Sequence, residues 1–117
     1  MAYTVTTLPA SSITDVAASI SGSVTATGVA GAIWGLFIWG TGGSLVNSTP
    51  ETEVGLGTNT FSFRLESLTP GTLYSFAAVS RRYDPPGDTL VETITGTTLT
   101  FTTGGGGGGE DQILLVL

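Results

Sequence analysis

Turn signals recur along this chain with only short segments between them: "ATGVAG", "GTGG", "GLGTN", "LTPGT" and "YDPPGD". Glycine reaches backbone conformations closed to other residues and proline fixes φ, so each cluster stops a regular element. The intervening segments are rich in Thr, Val, Gly and Ser, alternate in polarity, and carry no amphipathic helix period. Strands are therefore expected near 3–8, 16–26, 32–39, 61–68, 72–82 and 89–103, the last broken near Gly96, with a weak extra strand around 44–54. Seven short strands in about 100 residues predict an all-β antiparallel sandwich, two packed sheets around one modest core.

The C-terminus is of a different kind. It reads "FTTGGGGGGEDQILLVL", and six glycines, Gly104 to Gly109, form a flexible tether because glycine loses the most backbone freedom on ordering. Beyond it, Ile113, Leu114, Leu115, Val116 and Leu117 make an apolar run of strand length, far below the roughly 20 residues of a membrane helix. Left in water the run would invite aggregation, so it is expected to dock on a partner or on its own sheet. The organisation expected is a sandwich over 1–103, a linker over 104–109 and an apolar docking strand over 110–117.

Composition removes whole classes of function. Three cations, Arg64, Arg81 and Arg82, stand against nine carboxylates, for a net charge of −6. Neutralising phosphates is thereby disfavoured, so neither nucleic acid nor an anionic membrane is an expected partner. Cysteine and histidine are both absent, which removes disulfides, thiol nucleophiles, imidazole bases and most transition-metal sites. The glycine run lacks the Lys-Ser/Thr and helix of a phosphate loop. "PETE" at 50–53 with Asp84 and Asp88 matches no calcium loop, and no two carboxylates are placed as an acid/base pair. No cofactor and no enzymatic activity are expected. "MAYTVTTLPA" carries no basic and apolar secretory signal.

The strings "VTTLPASSITDVAASISGSVTATGVAGAIWGLFIWG", "VGLGTNTFSFRLESLTPGTLYSFAAVS" and "TLTFTT" resemble a fibronectin type III domain, an immunoglobulin-like fold, of the kind common in bacterial and bacteriophage proteins. The most specific part is "LESLTPGTLYSFAAVS". The resemblance covers about residues 4–103 and implies that Leu68 and Tyr74 form a corner, the tyrosine hydroxyl bonding back to backbone. It also implies a spacer, adhesion or interaction module, and that Phe37, Trp39, Tyr74 and Phe76 point into the core.

Alternation then sends Trp34, Leu36 and Ile38 to the opposite face, next to Ser75, Ala77 and Val79 and to Thr98, Thr100 and Thr102. An uncharged apolar stripe with a tryptophan in it is a candidate partner surface. The loop "SRRYDPPGDT" offers Arg81, Arg82 and Tyr83 as a recognition tip; the plainer reading is a hairpin whose arginines pair with Asp84 or Asp88. Taken together, these features lead to the expectation of a non-enzymatic structural protein anchored through its C-terminal strand to other protein subunits. A tailed-bacteriophage virion component, a capsid decoration or a tail or fibre protein assembled in the host cytoplasm, fits best. The alternatives are an extracellular filament subunit joined by strand donation, and a surface adhesion or carbohydrate-binding module with a glycan partner.

Overall fold

The computed structural model describes residues 2–29, 31–84 and 89–104. The tether beyond Gly104 and the expected docking strand, Ile113 to Leu117, lie outside the described residues. The strands are β1 (Ala2–Ser11), β2 (Ala18–Thr27), β3 (Ala32–Thr41), β4 (Asn47–Ser48), β5 (Thr52–Glu53), β6 (Gly57–Leu65), β7 (Leu73–Asp84), β8 (Thr89–Thr95) and β9 (Leu99–Thr102). No helix occurs among the described residues, and every strand pairing is antiparallel.

Two sheets form. The smaller has the order β1-β2-β6; the larger runs β4-β3-β7-β8, with β5 also on β3 and β9 also on β7. The final segment of the chain does break near Gly96, giving β8 and β9 as separate partners of β7. The weak strand expected around 44–54 resolves into two pieces of two residues each, β4 and β5: between them the Thr49 side chain, not a backbone carbonyl, takes the Phe37 N–H at 2.9 Å, and Pro50 has no N–H to give.

The core follows from period two. Along β2 the residues Ala18, Ile20, Gly22, Val24 and Ala26 are buried while their neighbours are half-buried. They meet Ile33, Phe37, Tyr74, Phe76, Ala78 and Phe101 of the larger sheet, with Phe61, Leu65 and Leu68 completing the cluster. Two glycines set how closely the layers approach. A Cβ on Gly35 would lie 2.8 Å from the Phe61 ring, and one on Gly22 would lie 2.7 Å from Ala78 Cβ. The Phe61 ring thus fills the space that Gly35 leaves, 4.9 Å from the Phe37 ring centre.

The corner forms as the resemblance implied. Tyr74 is buried and its hydroxyl accepts a hydrogen bond from the Thr69 backbone N–H at 2.8 Å. Its ring stacks on Phe101 at 5.5 Å and packs against Trp39 at 6.0 Å. Between them, Pro70 and Gly71 make the turn, where Gly71 adopts φ 61°, a value that favours glycine.

Candidate functional site

The outer face of the larger sheet carries the candidate site. Antiparallel partners share a face, so the register of β3 with β7 sets out its rows: Trp34 with Arg81, Leu36 with Val79, Ile38 with Ala77 and Gly40 with Ser75. The Trp34 row extends both ways, to Glu53 on β5 and to Thr93 on β8. Trp34, Leu36 and Ile38 are therefore turned away from the core, as alternation required. The stripe is less available than expected, however. Leu36 is only 3% exposed, and Ser75, Ala77 and Val79 are buried with it; Trp34 and Ile38 are half-buried. These small or central residues sit low between flanking strands, and the Ser75 hydroxyl donates to Gly42 O of the turn after β3. Leu36 is thus corrected from exposed packing surface to a buried position.

The expected recognition tip changes more. Arg81, Arg82 and Tyr83 lie in β7 rather than in a loop, and strand alternation splits them. Arg81 and Tyr83 share the outer face, where both engage one oxygen: Arg81 Nη1 donates to Glu51 Oε2 at 3.0 Å and the Tyr83 hydroxyl donates to the same atom at 2.8 Å. Arg82 takes the inner side, with Nη2 3.3 Å from Glu92 Oε1. Among the described residues, Arg81 pairs with Glu51 and Arg82 with Glu92; the Asp84 and Asp88 side chains lie outside what the structure describes. Distance along the chain explains why this was not legible: Glu51 arrives from the β4–β5 connection.

The electrostatics follow from this geometry. The hydrogen bond to Glu51, more than burial, holds the Tyr83 hydroxyl above its ordinary pKa and raises the Arg81 guanidinium as well. Arg81 Nε is buried and has no acceptor among the described residues. The result is a half-buried tryptophan flanked by a fixed guanidinium, a tyrosine and two carboxylates, Glu51 and Glu53. Such a set can hold an apolar group over Trp34 and hydrogen-bond its rim.

A second polar cluster lies on the inner side at the same end. Ser80 donates to Trp34 O at 2.9 Å and accepts from the Tyr3 hydroxyl at 2.9 Å. Burial is the main reason the Tyr3 hydroxyl sits above its ordinary pKa. Because Ser80 is fully buried, this cluster supports the backbone of Trp34 from below rather than offering a surface. Among the described residues no three carboxylates gather as a metal site.

No family model matches the chain, and no curated protein matches it. Solved structures do. The longer form of the sensor domain of the anti-sigma factor RsgI4 from Pseudobacteroides cellulosolvens matches with a TM-score of 0.67 at 21% identity, over 96% of this chain and 99% of that one. A shorter form of the same domain gives 0.65 at 20% identity, over 87% and 94%. A solution structure of the RsgI4 sensor domain gives 0.66 at 19%, over 88% and 76%. At this identity the likeness is one of fold. It nevertheless overturns the expectation of a structural subunit in a phage particle, and of a virion location, which rested on where such domains occur: the matching folds are sensor domains of a regulator.

Proposed function

We propose that this chain is a recognition module of the sensor kind: a fibronectin III-like sandwich that binds a ligand or a partner segment without transforming it. Its binding surface is the Glu53–Trp34–Arg81–Thr93 row with Tyr83 and Glu51. One observation carries this reading. Glu51 Oε2 takes both the Arg81 and the Tyr83 hydrogen bond, which fixes two groups that are common in binding hot spots beside a tryptophan at no further ordering cost when a ligand arrives. The similarity of fold to the RsgI4 sensor domains supports it. Binding without turnover is assigned because the chain has no histidine or cysteine and Glu51, the best-placed carboxylate, is already committed to two donors.

The test is a nuclear magnetic resonance titration of the isotope-labelled full chain with small probes of the two chemistries the row offers, indole and p-cresol for the apolar centre and acetate for the guanidinium. Shifts should converge on residues 34, 51, 53, 81, 83 and 93 and disappear in Trp34→Ala. Scattered shifts, or convergence elsewhere, overturn the reading.

A further inference from the structure

Phe63 is in an unusual position. It pairs with Ile20, which is wholly buried, and so looks inward, yet it is 37% exposed. Phe61, two residues earlier on the same side, is only 7% exposed. What separates them is cover. Strand β6 is the outermost strand of the smaller sheet, bonded on one side to β2 alone. Among the described residues the 49–52 connection faces it across a cleft of about 90 Å³ lined by Phe37, Pro50, Glu51, Phe61 and Phe63.

The edge itself is unguarded. Strand β6 keeps an unbroken register with β2 from Gly57 to Leu65 and contains no proline, no lysine and no bulge, the usual defences of an edge. Its single charge, Arg64, is held back over the sheet by Ser12 O at 2.8 Å and Ser19 Oγ at 3.0 Å.

We propose that β6 accepts an added antiparallel strand, and that the occupant is this chain's own segment Ile113–Leu117. The path is set by where the described chain leaves the fold. Gly104 N–H donates to Thr14 O at 3.1 Å, at the end of the molecule where Leu65 pairs with Ala18 and Leu68 N–H meets Val16 O. That is the Arg64 end of β6. The glycines at 105–109 span about 17 Å when extended, more than the roughly 10 Å between the outer strands of a three-stranded sheet. Glu110 and Asp111 then arrive beside Arg64, the one cation on the smaller sheet. From there the apolar run travels toward Gly57, antiparallel to β6, and its alternate side chains enter the cleft over Phe63, Pro50 and Leu36. Backbone edge groups and apolar surface are covered in one step. This edge belongs to the sheet opposite the Trp34 row; the cleft is lined on its far side by Glu51 as well, and the readouts of the test lie on β6, away from that row.

Amide hydrogen exchange and paramagnetic broadening on the full chain test the proposal. Alternate amides of residues 58–64, those not bonded to β2, should exchange about tenfold slower in the native chain than in Leu114→Asp/Leu115→Asp, while β1 and β2 amides are unchanged in both. Because the chain has no cysteine, Gln112→Cys gives a single site for a nitroxide, which should broaden residues near Arg64 within the same molecule. Equal exchange in the two chains, or no broadening at β6, overturns the proposal. Broadening only when spin-labelled and isotope-labelled chains are mixed also overturns it, since a second copy then donates the strand.

Discussion

Thr7 of β1 and Ala78 of β7 are bonded through the interior: the Ala78 N–H donates to Thr7 Oγ1 at 3.0 Å, while Ala78 O accepts from Gly96 N–H at 2.8 Å. Strand β7 changes partner here, from Thr95 of β8 opposite Val79 to Leu99 of β9 opposite Phe76. The opposite sheet supplies the donor's missing acceptor. Gly96 makes room, since a Cβ there would lie 2.6 Å from Thr7 Oγ1.

Thr7→Val keeps the shape and removes the acceptor, leaving a buried N–H unpaired. The expected loss is about 1–3 kcal/mol of unfolding free energy, measured by urea denaturation, with Thr7→Ser losing less. An unchanged midpoint in Thr7→Val would show that water reaches Ala78.

Gly35→Ala forces a methyl group against the Phe61 ring, and overpacking of this kind costs about 1–3 kcal/mol. Adding Phe61→Leu should recover part of that loss. A double-mutant cycle on thermal unfolding reads the coupling, and strict additivity would contradict the contact.

Tyr74→Phe retains the stacking on Phe101 and Trp39 but leaves the Thr69 N–H without its partner. A loss of about 0.5–1.5 kcal/mol is expected, against about 3–5 kcal/mol for Tyr74→Ala. The separation between the two values, from chemical denaturation, isolates the hydroxyl from the ring.

Alkaline pH should expose the Glu51 relationship. Because the folded Tyr83 hydroxyl has a pKa above the ordinary value of 10.0, the fold favours its neutral form; that stabilisation is fully present below about pH 10 and is lost as pH rises through the raised value. Tyr3 contributes in the same direction. Ultraviolet titration should find Tyr83 ionising at lower pH in Glu51→Gln, and Tyr83→Phe should flatten part of the alkaline decline in melting temperature. No change in Glu51→Gln would show that the carboxylate does not set the Tyr83 ionisation.

What the amino-acid order revealed was local. The Gly and Pro clusters bounded the strands, the period in "ASISGSVTA" marked the buried side of β2, and "LTPGTLY" carried the Tyr74 corner. Relationships made by pairing strands far apart in sequence were not legible. Glu51 lies 30 and 32 positions from Arg81 and Tyr83, and nothing in "PETE" distinguishes that carboxylate from Glu53. The two faces of β3 were assigned correctly, but exposure was not, because Leu36 lies between Val79 of β7 and the Thr49–Pro50 connection, which sequence patterning does not place there. The splitting of Arg81 from Arg82 follows from alternation once both are known to lie in β7 and not in a turn.

The course of the outer strands bears on how the domain would carry load. Ala2 pairs with Thr27 at one end of the smaller sheet, while Gly104 is tied to Thr14 at the other. Tension applied between these points would draw β1 lengthwise along β2 and β9 lengthwise along β7. In that direction the rungs of each ladder share the force and must fail together, instead of opening one after another like a zipper. The ten-residue β1, bonded into β7 through Tyr3 and Thr7, is the strand along which such a load would pass.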